Sequence, residues 1–380
     1  MTLCDTTPKR SRLGQRLGII LPLAQCLAAG ACAASQPMNY QVVQLGAPDV
    51  GLVEPAAVNT HGEVAGTLGR PHHAAVWSHG RLRDLGTLPG DTASEAIAIN
   101  DVGDVVGKSW RSGSAAVRAF LWQSGSMRRI GPAVDSCAPA QITAGGEVLL
   151  LVWSRTDTAQ RCMIWTPKGI VDTKFTARGI AAMDDRRRIV VAAPSRGTGT
   201  EHAVLWERGQ TTDLGTLPGS VDSVPTALAG DLVVGYARAA EGIVVGKAYP
   251  SARDIGRSAD AGVDRHACVW EGGLITDLGT LAHGNSQSEA HAVNRSGTVV
   301  GFSAPSDEDV PTAPASTATM WKGGVIYDLN DLAQTVPRLR LEKAVAVNNA
   351  GWIAVSGWTV SRSGRMARAG ILLVPHHKGK

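Results

Sequence analysis

The sequence His73-Ala-Ala-Val-Trp77 is the first copy of a motif that recurs five more times along the chain. Each copy joins a polar residue, a small residue, two apolar residues and Trp. The later copies are Arg118-Ala-Phe-Leu-Trp122, Arg161-Cys-Met-Ile-Trp165, His202-Ala-Val-Leu-Trp206, His266-Ala-Cys-Val-Trp270 and Thr317-Ala-Thr-Met-Trp321. A degenerate seventh copy is Arg368-Ala-Gly-Ile-Leu372. Successive copies lie 41 to 64 residues apart, so most of the chain is one supersecondary unit repeated.

The second repeat shows the whole unit as four short β-rich runs separated by turns. Ala96-Ile-Ala-Ile-Asn100 and Asp104-Val-Val-Gly107 flank the turn Asp101-Val-Gly103. A loop then leads to the Trp-bearing run and, after Ser124-Gly125, to a fourth run that starts at Met127. Four short strands in about 45 residues are typical of a blade of a β-propeller.

Two further motifs recur at fixed places in the unit. An Asn followed three residues later by Gly returns at Asn59, Asn100, Asn294 and Asn348, and this pair favours a tight hairpin between the first two strands. The sequence Asp-Leu-Gly-Thr-Leu begins at Asp84, Asp213 and Asp277, with a looser version at Asp328. We expect these aspartates to accept bonds from backbone N–H groups at the turn into the fourth strand.

The two ends of the chain complement each other. Tyr40–Gly46 resembles an isolated fourth strand, whereas the last Trp-type strand is followed only by a short tail. An open ring would leave two exposed sheet edges, which promote association. The sequence therefore predicts an all-β, seven-bladed β-propeller of four-stranded blades, closed by residues 40–46 in the last blade. Residues 35–375 form one domain in this interpretation, followed by a basic tail at 376–380.

The combined motifs resemble the HAF-repeat family of probable extracellular repeat proteins over nearly the whole chain after residue 35. The family pattern joins a His-Ala-Phe-Leu-Trp strand to Asp-Leu-Gly-Thr-Leu and an Asn-x-x-Gly-x-Val-Val-Gly hairpin. Arg or Thr replaces His in three copies here, and the third repeat keeps little beyond its Trp strand. The resemblance implies an exported protein with a β-propeller-like fold, and it brings no assigned reaction.

The N-terminal segment has the composition of a secretory signal. Lys9, Arg10, Arg12 and Arg16 precede an apolar stretch that ends in small residues, so we expect residues 1–34 to be a signal peptide. The mature chain would then be secreted or periplasmic. Cys32 as the acylated cysteine of a lipoprotein is a minor alternative, because Ala29 stands where such signals usually carry Leu.

Charge and cysteine content exclude several classes of function. Residues 1–35 hold four of the 37 basic and one of the 33 acidic residues, so the rest of the chain has a net charge of +1. This small charge gives no electrostatic argument for binding to nucleic acid. Three cysteines remain beyond the leader, too few for a disulfide framework. Cys137 and Cys162 share one repeat, which leaves a disulfide between them open, although two buried thiols are the favoured interpretation.

The fifth repeat offers two candidates for its second strand. They are Leu232-Val-Val-Gly235 and Ile243-Val-Val-Gly246. The second is favoured, because Gly246-Lys-Ala-Tyr249 parallels Gly107-Lys-Ser-Trp110.

The long connections predict where a ligand would bind. They all join second to third strands or fourth to first strands, so they emerge on one face, here called the loop face. Aromatic residues near the ends of second strands on this face are the ligand-binding candidates: Trp110, Trp153, Tyr249, Phe302 and Trp358. Glu95 and Glu289 lie in Ser-Glu-Ala just before the innermost strands, where we expect them to face the central channel, and they are weak candidates for acid or base catalysis.

The repeated His residues are interpreted as structural. His73, His202 and His266 hold one position in separate blades, so we expect no metal site and no cofactor. The preferred function is an exported, monomeric binding module whose ligand is a glycan or a surface protein. The alternatives are a polysaccharide lyase or hydrolase, and a structural cell-surface protein.

Overall fold

The computed structural model describes residues 39–133, 136–154, 156–157, 159–179, 181–195, 200–239, 265–281, 287–305, 316–333, 336–360 and 364–376. These residues form 28 strands and one short helix. The strands make seven four-stranded antiparallel sheets. Six of these sheets use four strands that follow one another in the chain, and the seventh combines the first strand with the last three. No helix among these residues is long and apolar enough to span a membrane.

The first four blades each hold four consecutive strands. Blade 1 contains β2 (Leu52–Val58), β3 (Val64–Leu68), β4 (Ala74–Ser78) and β5 (Arg81–Gly86). Blade 2 contains β6 (Ala93–Ile99), β7 (Val105–Trp110), β8 (Arg118–Gln123) and β9 (Ser126–Arg129). Blade 3 contains β10 (Ser136–Ile142), β11 (Val148–Trp153), β12 (Gln160–Thr166) and β13 (Gly169–Ala177). Blade 4 contains β14 (Ala181–Met183), β15 (Ile189–Pro194), β16 (Glu201–Glu207) and β17 (Gln210–Asp213).

The last three blades complete the series, and the N-terminal strand joins the seventh. Blade 5 contains β18 (Ser220–Ala229), β19 (Leu232–Ala239), β20 (Arg265–Glu271) and β21 (Leu274–Asp277). Blade 6 contains β22 (Gln287–Val293), β23 (Val299–Ala304), β24 (Thr317–Lys322) and β25 (Val325–Asp328), which is followed by α1 (Leu329–Leu332). Blade 7 contains β26 (Leu339–Val347), β27 (Ile353–Val360), β28 (Met366–Pro375) and β1 (Tyr40–Gln44).

The seven blades are arranged as a ring around their first strands. The first strand of each blade contacts the first strand of the next, and β26 contacts β2 to complete the circle. This is a seven-bladed β-propeller, as the repeat predicted. Hydrophobic clusters lie between adjacent blades: one joins Val105 and Phe120 of blade 2 to Ala65 and Ala74 of blade 1.

Ring closure by the N-terminal strand is confirmed. β1 pairs antiparallel with β28, from Tyr40 opposite Pro375 to Gln44 opposite Ile371. The strand ends at Gln44, two residues before the predicted boundary, although the Leu45 backbone N–H still donates to Gly370 O at 2.9 Å. Tyr40 and Leu45 are both buried, so the strand packs as part of the seventh blade.

The Trp-bearing run is the third strand of each blade and is covered on both faces. Its small position is buried in every copy, at Ala74, Ala119, Cys162, Ala203, Ala267, Ala318 and Ala369. A strand that is covered by a neighbouring sheet on each face has apolar residues at successive positions. This explains why the Trp-bearing motif does not alternate between apolar and polar residues.

The first strands of six blades share a β-bulge, and the bulge explains the Val-Val-Gly motif. In blade 2 the register shifts between Ala96 and Ala98, and in blade 6 between Ala290 and Ala292. The facing glycine, Gly107 in blade 2, lies against the carbonyl oxygen of Glu95, where a Cβ atom would overlap it. Gly66, Gly235 and Gly301 make the same close approach in blades 1, 5 and 6, whereas Leu150 and Val355 hold the corresponding position in blades 3 and 7.

The second strand of blade 5 differs from the one that the sequence favoured. Its second strand is β19 (Leu232–Ala239), which pairs with β18 on one side and β20 on the other. Leu232-Val-Val-Gly235 is therefore the motif copy that enters the sheet, and the preference for Ile243–Gly246 was wrong. The similarity to Gly107-Lys-Ser-Trp110 was a local coincidence, whereas pairing depends on both neighbouring strands. Residues 240–264, with Tyr249, lie outside the described residues.

The Asp-Leu-Gly-Thr-Leu motif also lies differently from the expectation. Asp213 and Asp277 end their fourth strands, and Asp84 lies two residues before the end of β5, so the motif marks the exit from the strand. The looser copy turns into α1, whose N-cap is Asp328, with its carboxylate accepting from Asn330 N at 2.7 Å.

Candidate functional site

The best-defined polar site on the loop face lies at the top of blade 2, where β7 ends at Trp110. Glu95 on the innermost strand lies directly opposite Lys108 in the sheet register. Lys108 Nζ is 2.9 Å from Glu95 Oε2, and His72 Nε2 from the blade 1 loop is 3.0 Å from Glu95 Oε1. Glu95 is 3% exposed and Lys108 6%, so this ion pair is shielded from solvent.

Trp110 packs against this group. Lys108 Nζ lies 5.7 Å from the centroid of the Trp110 ring, within the range of a cation–π interaction. The His72 ring meets the same Trp ring edge-on at 5.7 Å. Trp110 is half-buried, so part of its ring stays open to solvent. The arrangement is a rigid aromatic surface with an ordered set of charges beneath it.

Glu289 occupies the corresponding first-strand position in blade 6. Arg265 Nη1 is 2.7 Å from Glu289 Oε1, and His291 Nε2 is 3.3 Å from Glu289 Oε2. Burial by itself raises the pKa of this carboxyl group, but Arg265, the His291 hydrogen bond and Lys343 outweigh it, and the net pKa lies below its ordinary value. Glu289 is thus held as a carboxylate within ion pairs.

The two carboxylates belong to separate inter-blade contacts. Glu95 lies in blade 2 with its partner His72 in blade 1, and Glu289 lies in blade 6 with its partner Arg265 in blade 5. His72 and Arg265 both stand directly before the His-Ala phrase of their own blades. The equivalence favours a structural role in joining blades, and acid or base catalysis by Glu95 or Glu289 stays a prediction.

Phe302 is less accessible than expected. It is 5% exposed, its ring meets His291 edge-on at 5.4 Å, and Lys343 Nζ lies 5.2 Å from its centroid. Burial lowers the pKa of Lys343, since its charge is partly removed from water. A ligand would contact Phe302 only after the Lys343 side chain moved.

The remaining aromatic candidates differ in their surroundings. Trp358 is half-buried, donates from Nε1 to Glu342 Oε2 at 3.0 Å, and lies under the Arg368 guanidinium at 4.9 Å. Trp153 packs against the buried cluster between blades 3 and 4. Tyr249 lies outside the described residues. Trp110 therefore combines an open ring with the most defined polar surroundings.

Sequence reasoning missed what the repeated His residues contact. His73, His202 and His266 each bond, through Nδ1, the Asp of the same blade eleven residues later, at 2.8 to 3.1 Å. Each Asp also accepts from a backbone N–H two residues on, as at Gly86 N with 2.7 Å. The fixed spacing of His and Asp in the repeat was the available signal. Among the described residues no group of three His, Cys, Asp or Glu side chains is placed to hold a metal ion.

A buried serine on the next blade completes each of these motifs. Ser223 Oγ accepts from Ala203 N at 2.9 Å and donates to Gly215 O at 2.8 Å. Ser94 and Ser288 make the same two bonds to the blades that precede them. The Asp-Leu-Gly-Thr-Leu motif thus presents a carbonyl oxygen to the neighbouring blade, which is a structural role.

The cysteines are buried thiols. Cys137 lies in β10 and Cys162 in β12, with β11 between them in the sheet, and both are unpaired. The intervening strand keeps the two sulfur atoms apart, so the pairing left open by the sequence does not occur. Burial raises the pKa of each thiol to about 12.

Comparison with known proteins identifies distant structural similarities only. No family model matches the chain, and no curated protein matches it. TolB from Acinetobacter baumannii is similar at 11% identity and a TM-score of 0.38, over 71% of this chain and 62% of TolB. A protein of unknown function from Dyadobacter fermentans is similar at 12% identity and a TM-score of 0.43, over 90% of this chain and 100% of that one.

A subtype N11 neuraminidase-like protein (H18N11, flat-faced bat, Peru) is similar at 9% identity and a TM-score of 0.36, over 91% of this chain and 98% of that one. The propeller assignment rests on the strand order and the ring of first-strand contacts. The resemblance to the HAF-repeat family stays a prediction.

Proposed function

We propose that this chain is an exported binding module whose ligand contacts the loop face of blade 2, with Trp110 as the stacking surface. The observation that carries the proposal is the half-open Trp110 ring held over the buried Glu95, Lys108 and His72 group. Binding sites typically combine an apolar surface with a few fixed polar groups. An aromatic ring that is already positioned loses little entropy on binding, and its flat face suits the apolar C–H face of a sugar ring.

The buried charges favour binding over catalysis. The Glu95 carboxylate is 3% exposed and its charge is already balanced by Lys108. To accept or donate a proton in catalysis, Glu95 would first have to break this ion pair. Its role in the proposal is to fix Lys108 and His72, which in turn hold the Trp110 ring at the strand end.

The test is binding of the purified protein to an array of glycans and cell-wall polysaccharides. Trp110→Ala should lose binding to the glycan that the native protein selects, whereas Trp110→Phe should retain most of it, because the aromatic face remains. Trp352→Ala is the matched control, since Trp352 follows the hairpin on the opposite face and packs beside Gly62.

Each outcome separates the candidate functions. Equal loss in the Trp110 and Trp352 variants would indicate a folding defect and would contradict the site. Turnover of a bound polysaccharide that disappears in Glu95→Gln would favour the enzyme. A blank array with folded protein would favour a protein partner or a structural role.

A further inference from the structure

A cationic cleft opens beside the proposed site, on the outer part of blade 2. Its volume is about 320 Å³, and its lining is Leu88, Pro89, Arg118, Met127, Arg128 and Arg129. Three of these six residues are arginines and none is acidic. Side chains alternate along β9, and the Arg128 guanidinium lies over Trp165 of blade 3, so Arg118 and Arg129 are the two arginines whose guanidinium groups face the cleft. A guanidinium presents its N–H groups in a fork that matches the two oxygens of a carboxylate or sulfate.

Arg118 is held in place from behind. Its Nη2 contacts Asp91 Oδ1, and Ser109 Oγ donates to the other Asp91 oxygen at 2.7 Å. The Asp91 side chain is fully buried, whereas Arg118 remains 32% exposed. The buried carboxylate therefore orients Arg118 and offsets its charge, so the net positive charge of the cleft comes from Arg129.

The positive charge continues along the outer edge of blades 1 and 2. Arg128 and Arg129 of β9 are exposed, and so are Arg81 and Arg83 of β5. Arg128 lies 5.0 Å from the Trp165 ring and Arg83 lies 5.1 Å from the Trp122 ring, so aromatic rings order both guanidinium groups. Ordered cations at an exposed edge form an elongated surface for a negatively charged chain.

The cleft and the Trp110 side chain lie on opposite faces of the blade 2 sheet, near the end of β7. Ser109 is directly opposite Arg118 in the β7–β8 register, and both contact Asp91. Trp110 is the next residue in the strand, so its side chain points to the other face of the sheet. A ligand that touches both must cross the end of blade 2 above the connection of residues 111–117. A chain of several units can do this, whereas a single sugar cannot.

We propose that the ligand is an anionic polysaccharide, with one sugar ring on Trp110 and an acidic group in the cleft between Arg118 and Arg129. This inference rests on the proposed function of Trp110. The acidic group is a carboxylate or a sulfate, since both offer two oxygens to a guanidinium. Binding weakens as salt rises, because the Arg129 charge is exposed and therefore screened.

The direct test compares polymers that differ only in charge. Polygalacturonate and its fully methyl-esterified form share one backbone, and the acid form should bind the purified protein at least about tenfold more tightly, the gain expected from one charge-assisted contact. A sulfated polysaccharide in a parallel measurement distinguishes sulfate from carboxylate. Poly-glutamate of matched charge tests whether a sugar backbone is needed.

Variants then assign the contact. Arg129→Ala should lower affinity for the acid polymer about tenfold and leave affinity for the esterified polymer unchanged. The Arg129 side chain is exposed, so the fold should tolerate the change. Arg186→Ala, an exposed residue on the hairpin of blade 4, is the matched control and should change neither affinity. Arg118→Ala is avoided because it would leave Asp91 buried and unpaired.

The outcomes separate this inference from the proposed function. Equal binding of both polymers with dependence on Trp110 would overturn the anionic ligand and keep the binding site. Binding of poly-glutamate as tight as that of polygalacturonate would overturn the polysaccharide in favour of charge alone. Failure of every polymer to bind folded protein would overturn the anionic ligand, and the glycan array would then decide the Trp110 site separately.

Discussion

Asn348 donates from Nδ2 to the carbonyl oxygen of Asn59 at 2.8 Å, across 289 positions of the chain. The bond joins the hairpin of blade 7 to that of blade 1, where the ring closes. Asn294 bonds Asn348 O and Asn59 bonds Asn100 O in the same way. Each Asn also uses Oδ1 to accept backbone N–H groups of its own hairpin, as Asn348 does from Trp352 N at 2.9 Å. One side chain thus shapes the turn and links two blades.

The first prediction concerns the hydrogen bond between Asn348 and Asn59. Asn348→Asp keeps the acceptor that shapes the hairpin and removes the donor, so the free energy of unfolding should fall by about 1–3 kcal/mol. Chemical denaturation followed by Trp fluorescence measures the change. His61→Ala in the blade 1 hairpin is the control, since His61 is exposed and bonds Asn59 Oδ1 through its backbone N–H, and it should cost no more than about 0.5 kcal/mol. Equal effects of the two substitutions would contradict the linking role.

The second prediction concerns the closing strand. A chain that starts at residue 47 lacks β1, leaves the β28 edge unpaired and loses the buried Tyr40 and Leu45. Compared with a chain that starts at residue 39, it should unfold at lower temperature and form dimers or aggregates on size exclusion, because an unpaired edge associates. Identical melting and elution of the two chains would show that β1 is dispensable.

The third prediction distinguishes the buried serines from the exposed His–Asp pairs. Ser223→Ala leaves the buried N–H of Ala203 without its acceptor and should cost about 1–3 kcal/mol. His202→Ala removes a pair whose Asp213 partner is 46% exposed and should cost less than about 1 kcal/mol. Thermal unfolding of both variants provides the comparison, and a larger loss for His202 would refute the ranking.

The fourth prediction concerns pH. The pKa of Glu289 is lower in the folded protein than its ordinary value of 4.5, because Arg265, His291 and Lys343 together outweigh the opposing effect of burial. The unfolded state therefore binds a proton first as pH falls, so the stability that Glu289 contributes is complete above about pH 4.5 and is lost below it as the pH approaches the folded pKa.

Glu289→Gln should remove this dependence. The difference in unfolding free energy between the native protein and the variant should shrink as the pH falls from 7 to 3. Glu271→Gln, at an exposed position, serves as the control and should show a difference that stays small throughout. A native-minus-Gln difference that is constant with pH would contradict the assigned pKa direction.

The spacing of the Trp phrase, the Asn–Gly pairs and the leftover N-terminal strand together predicted seven blades and the way they close. These features are local and periodic, because each blade must bury the same faces against its neighbours. The blade 5 alignment failed because two similar motifs lay within 15 residues, and only pairing with β18 and β20 distinguishes them.

What the sequence determined by itself is the repeated unit: strand lengths, turn residues, the buried small position of the third strand and the order of blades. The tertiary structure alone decided which side chains from different repeats meet. His72 reaches Glu95 and Trp110, Ser109 and Arg118 share Asp91, and Asn348 reaches Asn59. These contacts depend on the angle between neighbouring blades and on bulges in the first strands, which short-range patterns do not encode.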